Sequence, residues 1–565
     1  MAMYKRLKKY VLLAGLTGLL SGLLPAAAGG AEPAETGEAR ALVNLAEGRS
    51  YQVESTITDS SFHRLETASY PDDGTKLTDG VIGPNSWTTH GPWVGYLRQD
   101  DRQIVIDLGD LQTVRELSAW FLQDKGSGIY FPQEVKFELS RNGRAWMKAD
   151  SVPTRIPNSV PGLHVQDYRV DGLNHLARYV RVTFHADVYV FVSELEAWGL
   201  PGKQPGVKPV VPSPPDNPRP PRMPRAGSEQ AGGKKQQVLI YSGYHSNTSL
   251  PQMNKQDLLP YTAYVDQDGQ IRDLMFDSFN FLPFGTTESG RSFTRDAVKS
   301  EWMSFADQLF TPDFRLDALD QAVAETKQTL RRPNYKAKVT IAIPYPGINS
   351  DWGDGLDFNP ENVGEEQALA NRTAAIQWYV DYILSRWQQA GYEHLELNGF
   401  YWYQESVGYS VSAHDEQLLI NTSQIVHGAG PYKFEWIPAG QNPGFNNWAK
   451  YGFDTALMQP NLAFDSSLPP DRLENNAYLA HKYGLGVEME IHWSAVREDS
   501  VGETYRKVYY DYLDAAYLYK YQNTFLAWYQ STDTFLVSSR SSNPEVREIY
   551  DQTYLFLKGK YRPSK

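Results

Sequence analysis

The stretch Leu395-Glu396-Leu397-Asn398-Gly399-Phe400-Tyr401-Trp402 decides the fold of the C-terminal part of the chain, together with the pattern of residues 365–387 before it. The stretch is a short apolar run of strand type, whereas residues 365–387 repeat apolar side chains at intervals of three and four, as a helix does. A strand that follows a helix in this way is typical of a β/α unit, whose strands pair in parallel.

The same kind of apolar run occurs eight times between residues 237 and 565. The other seven are residues 238–241, 274–279, 339–344, 434–437, 455–459, 486–491 and 525–529. Helical patterns lie between several of them, at residues 316–330, 472–481 and 505–519. Eight alternating units favour a closed (β/α)8 TIM barrel over an open, doubly wound sheet, and no Gly-rich dinucleotide loop follows the first run.

The N-terminal part, residues 41–200, reads as all-β. Residues 103–109, 134–139 and 178–184 are strand patterns, and Asn142-Gly143 is a typical hairpin turn because both residues tolerate a positive φ. We therefore expect a β-sandwich of ordinary domain size. The chain is predicted to be multidomain, an all-β sandwich followed by an α/β barrel.

A proline-rich connection joins the two parts, at residues 201–236. It has ten prolines within residues 201–225, which favour extended polyproline geometry, and we expect a semi-rigid spacer with a flexible end. At the other end of the chain, residues 1–31 combine a basic start, an apolar stretch and small residues. This pattern predicts a secretory signal peptide, with an uncleaved anchor as the alternative.

Composition narrows the class of function. The 565 residues carry a net charge of −13, which argues against nucleic acid as the main partner. With no cysteine, disulfides, thiolate catalysis and thiolate metal sites are excluded, and export without cysteine is more typical of bacteria. Aromatic residues reach 13%, which fits platforms for sugar rings.

Within residues 41–200, a series of short motifs resembles a discoidin (coagulation factor type C) domain. The motifs are Thr78-Asp79-Gly80, Trp87, residues 104–109, residues 135–146, residues 177–181 and residues 193–199. The resemblance implies a jelly-roll sandwich that serves as a carbohydrate-binding module. It also implies a structural Ca²⁺ held by Asp79 and Glu194, whose hard oxygen ligands suit that ion. Alternatively, both are ordinary carboxylates of a turn and an edge strand. The loop aromatics that are candidates for sugar binding are Trp87, Trp93, Tyr130, Phe131 and Tyr189.

In a barrel of this kind, chemistry belongs at the C-terminal ends of the strands. Glu405 follows the fourth predicted strand and Glu490 ends the seventh, so we expect both at one mouth. Two carboxyl groups are what hydrolysis of a glycosidic bond needs. The placement resembles the large clan of retaining barrel glycosidases, which implies Glu405 as acid/base and Glu490 as nucleophile. Glu488 shares a strand face with Glu490, so it is either the nucleophile itself or the neighbour that shifts the pKa of Glu490.

Further residues near the predicted strand ends are assigned to substrate binding. They are Asp277, Tyr345, Trp402, Tyr403, Trp436, Gln459, Glu488, Trp493 and Trp528. For the four tryptophans, a place in the core is the alternative. No cofactor is expected for catalysis, because the inventory holds carboxylates, amides and aromatics without a metal-ligand cluster.

Residues 238–244, 399–405 and 486–493 resemble a bacterial family of secreted proteins, the domain of unknown function numbered 4855. We therefore expect a secreted bacterial glycoside hydrolase of the retaining type that acts on a polysaccharide or glycan, free of the membrane once the signal is removed. The alternative is a non-catalytic glycan-binding or adhesion protein whose barrel has lost its chemistry.

Overall fold

The computed structural model describes residues 41–57, 59–98, 100–157, 160–214, 221–243, 253–408, 412–440 and 442–563. The predicted signal peptide, residues 1–31, lies outside these residues. None of the helices in these ranges is long and apolar enough to cross a membrane.

The N-terminal region is β-rich, and its strands pair antiparallel into one sheet except for β10, which runs parallel to β8. The strands are β1 (Val43–Asn44), β2 (Tyr51–Ser55), β3 (Val94–Leu97), β4 (Asp100–Asp124), β5 (Glu134–Ser140), β6 (Trp146–Pro153), β7 (Leu163–Val170), β8 (His175–Ala186), β9 (Tyr189–Leu200) and β10 (Lys208–Pro209). The long strand β4 pairs with β2, β7, β8 and β9, so it joins most of the sheet.

One helix interrupts this region, α1 (Ser60–Ser69), which the all-β expectation missed. Asp59 caps its N-terminus by accepting the N–H of Ser61, a preferred capping arrangement. The helix is short, and its apolar positions are too few to give a helical pattern in the sequence.

The C-terminal region is a closed barrel of eight parallel strands, in the order β11-β14-β15-β16-β17-β18-β19-β20. Two short strands, β12 and β13, form a separate antiparallel hairpin. The bounds are β11 (Gln236–Ser242), β12 (Ala263–Val265), β13 (Ile271–Leu274), β14 (Ser278–Pro283), β15 (Ala337–Ile343), β16 (Leu395–Trp402), β17 (Lys433–Trp436), β18 (Thr455–Met458), β19 (Gly486–Glu490) and β20 (Leu526–Tyr529). The predicted closed barrel is confirmed.

Helices connect the strands, and the four predicted helical patterns all lie in them. The bounds are α2 (Lys255–Thr262), α3 (Lys299–Leu309), α4 (Arg315–Thr329), α5 (Pro360–Val363), α6 (Glu365–Ala390), α7 (Asp415–Ala429), α8 (Asp471–Tyr483), α9 (Ser500–Leu518), α10 (Thr534–Arg540) and α11 (Pro544–Leu557).

The barrel has two apolar clusters because strand side chains alternate between two faces. The inner cluster includes Leu239, Tyr401 and Ala527, whereas the larger outer cluster packs the other faces of the strands against the helices. Which cluster a strand residue joins decides whether its side chain can reach the interior of the barrel.

The N-terminal end of the barrel is closed by a buried ion pair. Lys234, just before β11, donates to Glu435 of β17, and both side chains are buried. Gln237 Nε2 also donates to Glu435 at 3.1 Å, and Lys234 reaches Thr340 Oγ1 at 3.2 Å. Polar groups thus fill this end of the interior and satisfy one another.

The described parts of the proline-rich connection are packed rather than free. Residues 208–209 pair with β8, and Ser213 donates its N–H to Trp146 O at 2.9 Å. On the barrel side, Phe525 donates its N–H to Pro224 O at 2.7 Å, and Ala231 joins the inner cluster. The expected flexible end is therefore part of the closed end of the barrel.

The β-rich region also contacts the barrel directly. Arg472 of α8 donates to Asp59 at 2.9 Å, and both side chains are buried. Lys482, on the same helix, pairs with Asp101 at 3.1 Å. The N-terminal region is therefore held against the outer helices by charged pairs.

Candidate functional site

A cavity of 360 Å³ opens at the C-terminal ends of the barrel strands. The cavity is lined by residues of β11, β14, β16, β19 and β20 and of the segments that follow β14, β16, β17 and β18. The location is the one where barrel proteins carry their active sites, and the volume lies within the range of small-molecule sites.

The lining is polar and rich in tyrosine. Its polar members besides the tyrosines are Thr294, Gln404, Glu405, Ser406, Asn442, Gln459 and Glu488, and its tyrosines are Tyr241, Tyr401, Tyr403 and Tyr529. Leu239, Leu282 and Phe464 complete it. Among the described residues, the lining contains no lysine, arginine or histidine.

Glu405 lies three residues after the end of β16, where the sequence places it. Its side chain is exposed to the cavity, yet the surrounding protein atoms raise its pKa above the ordinary value. A hydrogen bond from Gln459 lowers the pKa and so favours the charged form. Gln459 is itself held by donating to Ile437 O at 2.9 Å.

Glu488, on β19, also lines the cavity, although its side chain is only 2% exposed. Its Oε1 atom is buried and has no hydrogen-bond donor among the described residues. Burial raises the pKa of Glu488 well above its ordinary value, and the charges of Glu490 and Glu405 raise it further. Both effects favour the protonated form of this carboxyl group.

Glu490 ends β19 but does not belong to the described lining of the cavity. It is fully buried, accepts a hydrogen bond from the hydroxyl of Tyr512, and accepts the N–H of Asn461 at 3.2 Å. Burial raises the pKa of Glu490 to about 7, while these two hydrogen bonds lower it. Of the two glutamates considered on β19, the structure thus places Glu488 at the cavity.

Three predicted aromatic ligands lie on the wrong side of the barrel wall. Trp402, Trp436 and Trp528 are fully buried in the outer cluster, between the strands and the helices. Their neighbours Tyr401, Tyr403 and Tyr529 line the cavity instead. The reason is the two-residue alternation of strand side chains.

Trp436 lies outside the barrel wall, but it contacts the backbone of the segment that carries Glu405. Its indole N–H donates to Gln404 O at 2.8 Å, which fixes the backbone immediately before Glu405. Trp528, in the outer cluster, donates its indole N–H to Gln236 Oε1 at 2.7 Å.

The predicted binding roles of Asp277 and Tyr345 do not agree with their positions. Asp277 precedes β14 rather than ending a strand, and it accepts the N–H of Gln236 at 2.9 Å at the opposite end of the barrel. Tyr345 follows β15 but is buried, and its hydroxyl donates to Asp415 at 2.7 Å. Asp415 in turn pairs with the buried Arg372.

Trp493 and Phe464 are two large exposed aromatic side chains that follow barrel strands among the described residues. Trp493 follows β19 and is 53% exposed, but it is not in the described lining. Phe464, which the sequence did not single out, is 44% exposed, lines the cavity and packs edge-on against Tyr529 with ring centroids 5.2 Å apart. A free aromatic face at a cavity edge suits stacking against a sugar ring.

The loop aromatics proposed for the β-rich region divide by burial. Trp93, Tyr130 and Phe131 are buried, whereas Trp87 and Tyr189 are partly exposed. Trp87 donates its indole N–H to Asp124 at 3.0 Å, so one edge of its ring is fixed.

The expected calcium ligands are neighbours, because Asp79 directly precedes Gly80, which contacts Glu194, and the charge of Asp79 adds to the effect of burial in raising the pKa of Glu194. Glu194 is buried, accepts the N–H of Gly80 at 3.2 Å through Oε1, and has no donor at Oε2 among the described residues. That orphaned oxygen fits a hard cation. No group of three or more His, Asp or Glu side chains in the described ranges is arranged to hold a metal.

A family model described as "Domain of unknown function (DUF4855)" matches residues 236–555, more than half of the chain. No curated protein matches.

Two of the solved structures similar to the chain each match 28% of it. Chitosan-binding module 1 of a chitosanase/glucanase from Paenibacillus sp. IK-5 is 16% identical, with a TM-score of 0.19, and covers 28% of this chain and 98% of the module. A module of Clostridium perfringens, CpGH89CBM32-6, is 16% identical, with a TM-score of 0.18. The match covers 28% of this chain and 99% of that module. TM-scores this low establish neither a shared fold nor a shared function.

Proposed function

The chain belongs to the DUF4855 family, and from that premise we propose that it is a glycoside hydrolase whose two catalytic carboxyl groups are Glu405 and Glu488. One observation carries the proposal. Both side chains line a single tyrosine-rich cavity at the C-terminal mouth of the closed barrel, one after its fourth strand and one on its seventh. Hydrolysis of a glycosidic bond needs such a pair.

The different surroundings of the two groups support different roles. Glu488 is buried without a donor at Oε1 among the described residues, and its raised pKa favours the protonated form that a general acid needs. Glu405 is exposed and accepts a hydrogen bond from Gln459, which suits the carboxylate. In this scheme Glu488 protonates the glycosidic oxygen as the C–O bond breaks. Glu405 attacks the anomeric carbon or takes the proton of the attacking water.

This scheme changes the roles inferred from the sequence. Glu405 and Glu490 were expected as acid/base and nucleophile, and Glu488 was the alternative on the same strand face. Glu490 is now assigned a supporting position, because Tyr512 and Asn461 occupy its two oxygens. The retaining stereochemistry stays a prediction, which NMR of the first product anomer decides.

The charged groups that line the cavity indicate which charge the glycan carries. Since the described lining has two carboxyl groups and no basic side chain, an anionic glycan would meet repulsion without a compensating partner. We infer a neutral or amine-bearing glycan. The tyrosine hydroxyls supply partners for sugar hydroxyl groups, and the ring of Phe464 supplies a stacking face.

We further propose that the protein is exported and that the β-rich region is a discoidin-like module that binds the same glycan. The N-terminal sequence and the motif series of residues 78–199 support these two proposals. Direct packing between the two regions, through Asp59 and Arg472, would hold a bound chain near the barrel.

The experiment is a screen of the purified protein against chitosan, xylan, mannan, galactan and starch, with release of reducing ends as the readout. The wild type is compared with the Glu405→Gln/Glu488→Gln double variant and with a control, Glu396→Gln, which changes an exposed glutamate of β16. We expect release that the double variant loses and the control keeps. Binding without release on every polysaccharide would favour the non-catalytic alternative.

A further inference from the structure

Glu490 sits in a pocket of hydrogen-bond donors built by a turn and a helix. The hydroxyl of Tyr512, on α9, donates to Glu490 Oε2 and receives the N–H groups of Leu462 at 3.0 Å and Ala463 at 3.3 Å. Asn461 donates its N–H to Glu490 Oε1 at 3.2 Å. The donors therefore converge on one side chain from two separate elements.

The backbone of this turn is unusual at one residue. Asn461 has a φ of 57°, in the left-handed region that asparagine tolerates better than most residues. This conformation presents consecutive N–H groups toward Glu490 and Tyr512, an arrangement that suits a negative charge.

Glu488 contrasts with Glu490 although both lie on the same face of β19, two residues apart. Glu488 is also buried, but its Oε1 has no donor among the described residues. Two neighbouring buried carboxyl groups cannot both be charged at low cost, so one of them keeps a proton.

We propose that Tyr512 and the N–H of Asn461 hold Glu490 as the charged member of this pair, so that the proton stays on Glu488. A buried carboxylate without donors is expensive, whereas one that accepts a hydroxyl and a backbone N–H is stabilised. Glu490 and Tyr512 are thus positioning residues for the acid, Glu488. The catalytic consequence rests on the proposed function, but the placement of the proton does not.

The pKa values agree with this arrangement. Hydrogen bonds from Tyr512 and from the backbone of Asn461 lower the pKa of Glu490, which burial raises to about 7. For Glu488 no such bond opposes burial, and the charge of Glu490 raises its pKa further.

The other titratable groups that face the pair do not supply a positive charge. Among the described residues they are Glu405, whose charge raises the pKa of both glutamates, and Tyr241, Tyr401 and Tyr529, whose own pKa values the neighbouring glutamates raise. The hydrogen-bond donors around Glu490 therefore decide which of the two glutamates is charged and which keeps the proton.

Infrared spectroscopy of the C=O stretch of protonated carboxyl groups tests this directly, in the full chain without substrate, from pH 4 to 10. Other carboxyl groups such as Glu194 also hold protons, so each variant is subtracted from the wild type. At pH 8 we expect Glu488→Gln to remove one protonated carboxyl band, whereas Glu490→Gln should leave it and Glu396→Gln should change nothing. A band lost in Glu490→Gln and kept in Glu488→Gln would overturn the proposal.

Tyr512→Phe is a second, milder variant that keeps the ring in place. Loss of the hydroxyl should raise the pKa of Glu490 by about one unit, so a new protonated band should appear near pH 7 to 8. An unchanged spectrum would overturn the role of Tyr512. Because no substrate is used, the two experiments are independent. A negative polysaccharide screen would contradict the proposed hydrolase without changing the infrared result. An infrared result that contradicts the placement of the proton would leave the proposed hydrolase standing.

Discussion

Glu405 and Glu488 line the same cavity from the fourth and seventh strands of the barrel, and the charge of Glu405 raises the pKa of Glu488. Residues 83 positions apart in the chain are thus electrostatically coupled at one mouth. Their titrations are linked, so an activity profile reports the pair rather than either residue alone.

The pH dependence of hydrolysis follows from the two raised pKa values. Activity should fall at low pH as Glu405 takes a proton, and this limb should lie above the 4.5 of an ordinary glutamate. It should fall again at high pH as Glu488 loses its proton, since its pKa is raised further. Measurement of kcat/KM between pH 4 and 10 checks both limbs. A flat profile would contradict the assignment.

Calcium should stabilise the β-rich region more at pH 8.5 than at pH 5. Burial raises the pKa of Glu194 to about 8, so without an ion its burial disfavours the charged form and stability falls as the pH rises from about 4.5 through 8. An ion at the free Oε2 would remove this loss. The measurement is Tm with 2 mM CaCl₂ or EDTA at both pH values, a concentration on the order of that used by extracellular calcium modules.

Glu194→Gln is the matched variant for the calcium experiment. It should abolish the effect of calcium on Tm and flatten the pH dependence of stability. If the variant and the wild type gain the same Tm from calcium, the ion binds elsewhere.

Phe464→Ala should weaken binding of long substrates more than of short ones. The ring is 44% exposed at the cavity edge, so it can contact a sugar unit next to the one being cleaved. We expect KM for the polysaccharide to rise by about 5- to 150-fold, as stacking losses of about 1–3 kcal/mol imply. Tyr517→Ala, an equally exposed aromatic residue on α9, is the control. Equal effects of the two substitutions would remove Phe464 from the site.

Lys234→Met should destabilise the barrel without touching the cavity, because it leaves Glu435 buried without its cation. Loss of one partner of a buried pair costs about 3–5 kcal/mol, whereas the Lys234→Met/Glu435→Gln double variant should recover part of it. Urea unfolding provides the measurement. Lys338→Met, which breaks an exposed pair with Glu396, should cost no more than about 1 kcal/mol.

The sequence predicted the barrel well because its signals are local. Each strand is a short apolar run, and the main helices have a clear period, so the alternation is visible without knowledge of distant contacts. The same alternation, applied residue by residue, also separates Tyr401 and Tyr403 from Trp402. Of the two positions that the sequence allows for Trp402, Trp436 and Trp528, the structure shows the core position.

The errors at the second strand have a different cause. Residues 274–279 are a continuous apolar run, but Leu274 closes the β12-β13 hairpin and the barrel strand begins only at Ser278. Asp277 therefore precedes the strand. Nothing in the run itself marks where one element ends and the next begins.

Strand parity could not predict that Glu488 rather than Glu490 lines the cavity, since both side chains lie on the same face of β19. It depends on Tyr512 from α9 and on the turn at Asn461, which cover Glu490 from elements far from β19 in the chain. Such coverage is a property of the packed structure.

The most direct test of the account compares kcat of Glu405→Gln, Glu488→Gln and Glu490→Gln on a polysaccharide that the wild type cleaves. Loss of a general acid or base lowers the rate by about 10²- to 10⁴-fold, so we expect losses of this size for Glu405→Gln and Glu488→Gln. Glu490→Gln should lose less and shift the pH profile. A Glu488→Gln variant as active as the wild type, beside an inactive Glu490→Gln, would contradict the account.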